Sequence, residues 1–61
     1  MPTEDYIIEQ MARAMAIAEG AYWWKFDETD PNREQLEIYY KFDARRYYHA
    51  HLAMLKTTEG E

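Results

Sequence analysis

The sequence predicts an all-α protein, an antiparallel hairpin of two helices that dimerises into a four-helix bundle. Two long segments without proline lie on either side of the polar turn DETDPN at residues 27–32. Within each segment, apolar side chains recur at steps of three and four residues, which is the period of an amphipathic helix. We expect one domain of residues 1–61, with helix 1 at about 4–26, a turn at about 27–30, helix 2 at about 31–57 and a frayed tail at 58–61.

Capping residues mark the start of each predicted helix. Thr3 is a good N-cap, and Glu4 and Asp5 follow it where negative charge favours the positive end of the helix dipole. Asp30 before Pro31 predicts a second N-cap, because the first position of a helix does not use the N–H that proline lacks.

One row of side chains on each helix is predicted to form the shared interface. Folding the chain at the turn brings residues whose numbers add up to about 58 to the same level, so that small side chains face large ones. In this register Ile8 meets Ala50 and Met11 meets Tyr47. The two rows are Ile8, Met11, Met15, Ala18 and Tyr22 on helix 1, and Leu36, Tyr40, Asp43, Tyr47, Ala50 and Met54 on helix 2.

Asp43 is the one acidic side chain in these rows, and we expect it to be buried. A buried carboxylate needs a partner, which Arg46, Tyr47 or Arg13 could supply. A catalytic acid is the alternative. No nucleophile, histidine base or second carboxylate converges on the position, so we interpret Asp43 as a polar group that sets the register of the interface.

A second apolar surface remains after the shared interface is formed. A two-helix hairpin has only one internal interface, and soluble monomers rarely expose large apolar patches. We therefore expect a homodimer, in which two hairpins form a four-helix bundle. The predicted dimer interface consists of Tyr6, Ile17, Ile38, Phe42 and Leu52.

The aromatic segment YWWKF at residues 22–26 predicts a contact with another protein. If helix 1 continues through this segment, its aromatic side chains point in different directions and cannot all enter one interface. Tryptophan and tyrosine are common in the energetically dominant part of protein interfaces. The predicted protein-contact residues are Trp23, Trp24, Tyr39 and Tyr48. Gly20 precedes this segment, and we interpret it as a bend or as a point where another helix approaches closely.

The sequence contains no pattern typical of an enzyme or a metal site. His49 and His51 are two residues apart, so on a helix their side chains diverge by about 200° and cannot share one ion. The acidic turn at residues 27–32 lacks the central glycine of a calcium loop. We therefore expect no catalytic residues, no bound metal and no cofactor.

A basic stripe on helix 2 predicts an alternative function. Its residues are Lys41, Arg45, His49 and Lys56, and basic side chains among aromatic ones are typical of nucleic-acid surfaces. In length and two-helix topology the chain resembles the plasmid ROP proteins, short hairpin dimers that bind paired RNA loops. The resemblance is architectural, so it implies RNA binding without assigning roles to residues. The net charge of −5 favours the protein-binding interpretation.

The composition favours a cytoplasmic interaction protein. There is no cysteine and no apolar run long enough to span a membrane, and the first residues MPTEDY do not predict an export signal. We expect a small non-enzymatic protein that binds and modulates another protein, for example as an inhibitor. This size class is also common among accessory proteins of phages and mobile elements, which act in the host cytoplasm.

Overall fold

Two α-helices and one short 3₁₀ helix form the hairpin in a computed structural model of the chain. The structure describes the backbone of residues 2–59 and the side chains of residues 2–57. The first helix, α1, is Glu4–Glu19. The 3₁₀ helix is Trp23–Lys25, and the second helix, α2, is Pro31–Glu59. The two α-helices pack against each other, and no strand occurs within residues 2–59. The all-α hairpin predicted from the sequence is confirmed.

Both predicted helix starts are confirmed by their capping hydrogen bonds. The hydroxyl of Thr3 accepts a hydrogen bond of 3.2 Å from the backbone N–H of Tyr6. The carboxylate of Asp30 accepts one of 2.9 Å from the N–H of Asn32, and the helix begins at Pro31. Each cap satisfies a backbone donor that has no partner inside the helix.

Helix α1 ends at Glu19, and its predicted extension to about residue 26 is wrong. Gly20 adopts the left-handed conformation, with φ at 73°. Its N–H donates to the carbonyl of Ile17, and the next N–H, of Ala21, donates to the carbonyl of Ala16 at 2.9 Å. These two bonds form a Schellman motif, which terminates a helix. A Cβ at Gly20 would have no neighbour within 4 Å, so the glycine serves the positive φ rather than a close helix approach.

Helix α2 is much longer than α1 and extends past it. It has 29 residues against 16, and it accounts for most of the 49 Å length of the molecule. A contact between Glu4 and His49 brings the start of α1 to the level of His49. Residues 50–59 therefore lie beyond the end of the shared interface. A frayed tail was predicted at residues 58–61. Residues 58–59 instead belong to α2, and residues 60–61 lie outside the described residues.

The core lies where rows of side chains spaced four residues apart meet. Half of the buried residues are alanines, which allow the helix backbones to approach closely. Rows with this spacing interdigitate in the commonest class of helix packing, in which the helices cross and then diverge. The buried residues are Ile8, Ala12, Ala16, Trp23, Tyr40 and Ala44.

The predicted interface rows are correct in part. On α1, Ile8 is buried as expected, whereas Ala18, next to the turn, is exposed. On α2, Tyr40 is buried as expected. On α2 the predicted rows also place Tyr47, Ala50 and Met54 in the interface, and all three are exposed. The buried residues follow steps of four, whereas the predicted rows alternate steps of three and four. The two kinds of row point in increasingly different directions around a helix as they become longer. The register that paired Met11 with Tyr47 and Ile8 with Ala50 is wrong for the same reason.

Replacement of Ala12 by leucine should destabilise the hairpin. Ala12 has no exposed surface, so three additional carbons would force the helices apart at an expected cost of about 1–3 kcal/mol. Urea unfolding followed by far-UV circular dichroism measures this cost. Ala14→Leu adds the same atoms at an exposed position of the same helix and should change stability by less than about 0.5 kcal/mol. Equal effects of the two substitutions would contradict the close helix approach.

Candidate interaction surface

The aromatic side chains after α1 close the end of the hairpin. Trp23 has 3% of its surface exposed, and its ring stacks on Tyr40 with a centroid distance of 6.0 Å and an interplanar angle of 18°. The ring of Trp24 meets Trp23 edge to face at 4.9 Å. Because Gly20 ends the helix, the chain turns back and brings these rings against α2. The prediction that Trp23 is an exposed contact residue is wrong.

Two cations cover the outer side of the same aromatic group. The guanidinium of Arg13 lies 5.1 Å from the ring centroid of Trp24, and the ammonium of Lys25 lies 4.8 Å from that of Tyr22. Such cation–π contacts are attractive and shield the ring faces from solvent. Trp24 is consequently half-buried, so only part of this predicted contact residue remains available to a partner.

Tyr40 joins the two helices through its hydroxyl, which donates a hydrogen bond of 2.7 Å to a carboxylate oxygen of Glu19. This bond stabilises the neutral phenol and raises the pKa of Tyr40 to about 12, with burial and the negative charge of Glu19 acting in the same direction. Glu19 is the last residue of α1. The bond therefore attaches the end of α1 to the first third of α2.

Asp43 is half-buried rather than enclosed in the interface. Its side chain retains 24% of its surface, and one carboxylate oxygen lies 3.5 Å from the guanidinium of Arg46, one of the expected partners. No charged or polar side chain among those described is fully buried. Asp43 is therefore partly accessible to solvent, and the prediction of a buried polar group is wrong.

The predicted basic stripe is interleaved with carboxylates. The ammonium of Lys41 lies 2.6 Å from Glu37 and 3.5 Å from Glu9, and the hydrogen bond to Glu37 is the main cause of its raised pKa. An imidazole nitrogen of His49 lies 2.7 Å from the carboxylate of Glu4. The contacts with Glu9 and Glu4 connect α1 to α2, and all three reduce the positive potential that a phosphate backbone would meet.

One exposed surface of α2 is rich in tyrosine, and we call it the tyrosine face: Tyr39, Tyr47 and Met54. Tyr39 and Tyr47 are 57% and 60% exposed, and Met54 is 55% exposed. Tyr39 was among the predicted contact residues. Tyr47 and Met54 were predicted to lie in the interface between the helices, and the drift of the core row leaves them at the surface.

A second exposed surface contains the five residues predicted for a dimer interface, and we call it the outer flank: Tyr6, Ile17, Ile38, Phe42 and Leu52. All five are exposed on the single chain, with Phe42 the most exposed at 63%. Tyr48, the remaining predicted contact residue, is half-buried and packs against the core.

The described residues contain no group of three histidine, cysteine, aspartate or glutamate side chains that could hold a metal ion. His49 contacts Glu4, and His51 is exposed on the part of α2 that extends beyond α1. Neither helix, over its described length, is sufficiently long and apolar to cross a membrane.

Comparison with protein-family models, curated proteins and solved structures found no match to this chain.

The raised pKa of Tyr40 predicts how stability depends on pH. The hydrogen bond to Glu19 stabilises the folded chain below the ordinary tyrosine pKa of 10.0, and this contribution is lost as the pH rises towards about 12. At neutral pH, the midpoint temperature of thermal unfolding should be higher for the wild type than for Tyr40→Phe. This difference should become smaller between pH 10 and pH 12. Tyr39→Phe is the matched control, because it removes the hydroxyl of the exposed neighbouring ring and keeps the hydrogen bond between Tyr40 and Glu19. A difference that stays constant to pH 12 would contradict the assignment.

Proposed function

We propose that the chain is a small non-enzymatic protein that binds another protein through the tyrosine face and modulates its activity. The observation that carries this proposal is the exposure of Tyr39 and Tyr47, each more than half exposed on a rigid helix. Tyrosine supplies a large apolar ring and a hydroxyl at low entropic cost, which is why it is enriched where binding energy concentrates.

The surroundings of the tyrosine face favour a protein partner. The exposed residue between Tyr47 and Met54 in the sequence is Ala50, whose small side chain leaves room for a partner. Asp43 lies between Tyr39 and Tyr47, about one helical turn from each, and pairs with Arg46. The tyrosine face thus combines aromatic rings with a charged pair, and protein interfaces combine apolar and polar contacts in this way.

Modulation by steric occlusion suits so small a chain. A hairpin 49 Å long, 24 Å wide and 16 Å thick can lie along a cleft or over an active site without needing chemistry of its own. The net charge of −5 also suits competition with a nucleic acid for a basic surface. We place this activity in the cytoplasm, that of the host if a phage encodes the chain, since a chain without cysteine needs no oxidising compartment.

Nucleic-acid binding through the basic stripe has less support. Lys41 and His49 contact carboxylates of both helices, so binding of a phosphate backbone would have to displace these contacts. Arg45 and Lys56 remain exposed, but two cations per chain supply a weak electrostatic contribution.

Loss of the two tyrosines should abolish binding of the partner. The wild type, the double variant Tyr39→Ser/Tyr47→Ser and the control Tyr6→Ser are each used as tagged bait in the native cells. A partner that depends on the tyrosine face co-purifies with the wild type and the control only. With the purified partner, calorimetry should show binding weakened by at least about 100-fold in the double variant.

The control is matched because Tyr6 is 56% exposed, close to the exposure of Tyr39, and lies on the other helix. Equal binding of a partner by all three baits would show that the tyrosine face is not the contact surface. Recovery of RNA instead, with affinity that falls steeply as salt rises, would favour the nucleic-acid alternative.

A further inference from the structure

Helix α2 presents an uncovered apolar row where it extends beyond α1. Tyr40 and Ala44, four residues apart, are buried against α1, and Tyr48 packs against the same core. At 100° per residue, Leu52 and Leu55 lie within about 40° of Tyr48 around α2, so they continue this row. They are 41% and 45% exposed, because the interface with α1 ends before them. We call Leu52 and Leu55 the leucine strip.

The leucine strip lines a shallow groove, together with His49, Ala53 and Lys56. Side chains three and four residues apart form the ridges and grooves into which a second helix packs. An extended peptide would add to the edge of a sheet instead, and residues 2–59 contain no strand. The groove therefore suits a helical partner, which would lie along the part of α2 that α1 leaves uncovered.

Basic side chains border the leucine strip on both sides. Around α2, His51 lies about 40° from Leu55 on one side. Arg45 and Lys56 lie within about 40° of Leu52 on the other side. All three basic residues are exposed, and none forms an ion pair within residues 2–57. The strip is thus an apolar centre between two basic edges.

The end of α2 is a basic region on an acidic protein. Between Asp43 and Glu59 there are three lysine or arginine residues, two histidines and no acidic residue. The chain up to and including Asp43 contains ten acidic and four basic side chains. Two residues of the basic region already have partners, since Arg46 contacts Asp43 and His49 contacts Glu4. The three that border the leucine strip remain for a partner.

We propose that the leucine strip binds a short acidic amphipathic helix of another protein. Its apolar side chains lie in the groove, and its carboxylates contact the basic side chains on both edges. Charge complementarity selects this occupant, because an acidic helix gains contacts at both edges that a basic or neutral one lacks. The proposal does not depend on the tyrosine face. Met54 of that face lies about 100° or more around α2 from both leucines.

A short helix fits this region better than a membrane or a nucleic acid does. An anionic bilayer would extend past the end of α2 and face the rest of a chain whose net charge is −5. Charges farther apart than the Debye length of about 8 Å are largely screened, so a short helix responds mainly to the basic side chains beside it. A phosphate backbone would use the basic side chains but not the leucines between them.

The size of the uncovered segment predicts weak binding. Residues 50–59 span about 15 Å, so a partner helix of about three turns covers them. An interface of this length remains below about 1,200 Å², which is the range of transient complexes.

Designed helical peptides test the occupant. The acidic peptide has about 18 residues, with leucine at steps of three and four and glutamate on both sides of the leucines. The control peptide has lysine in place of each glutamate. Fluorescence anisotropy should give a Kd of roughly 100 µM or lower for the acidic peptide, at least about tenfold tighter than for the lysine peptide. No binding of the acidic peptide at about 500 µM, or equal binding of both peptides, overturns the proposal.

Variants of the chain locate the binding surface. Leu52→Gln/Leu55→Gln removes the apolar strip, keeps a good helix former at both positions and should weaken binding at least about tenfold. Met54→Gln is the matched control on another side of the same turns and should leave binding unchanged. Arg45→Glu/Lys56→Glu should reverse the preference, so that the lysine peptide binds more tightly than the acidic one.

All five substituted positions are exposed, so circular dichroism should show unchanged helix content. If the glutamine variant nevertheless lost helix content, the reversal of charge preference would decide by itself. An affinity for the acidic peptide that neither double substitution changes overturns the proposal.

Measurements on the chain without peptide address other occupants. Vesicles of phosphatidylcholine with about 30% phosphatidylserine, and a short RNA hairpin, should not bind at physiological salt. Because Leu52 is also predicted for a dimer interface, sedimentation equilibrium compares the wild type with Leu52→Gln/Leu55→Gln, and their masses should be equal. Binding to vesicles or RNA that the glutamine variant loses, or a dimer that it dissociates, assigns the strip to that occupant and overturns the proposal.

Discussion

The stacking of Trp23 on Tyr40 is the interaction on which the rest of the hairpin depends. Trp23 is the largest buried side chain, and it comes from the connection rather than from either α-helix. Its position requires α1 to end at Gly20, so that the chain turns back over the helix pair. Tyr40 in turn binds the last residue of α1 through its hydroxyl. One aromatic contact thus determines where the helices meet and how their connection closes.

The small size of this core explains why so much apolar surface remains outside it. Six of the residues whose burial the structure describes are buried, and three of them are alanines that bring the backbones together but exclude little water. The shared interface ends near the contact between Glu4 and His49, and α2 continues past the end of α1. The tyrosine face and the outer flank are the consequence of this small core.

The charged residues of α2 fall into two groups. Those near α1 form contacts within the hairpin, as Lys41 does with Glu9 and Glu37. Glu34 and Lys56, towards the two ends of α2, are exposed. The contacts that join the helices therefore use charges that lie between these two ends.

The sequence by itself determined the all-α class, the antiparallel hairpin and both helix starts, because Thr3, Asp30 and Pro31 act through hydrogen bonds and sterics within a few residues. The glycine at position 20 also carried a helix-end signal, but a glycine inside an apolar pattern is equally compatible with a bend. Only the tertiary structure decided that the chain turns there, since the burial of Trp23 favours it. It also selected rows with steps of four over alternating steps, because alanines on both helices permit closer contact. Because of these long-range contacts, Trp23 lies in the core and Tyr47 lies at the surface.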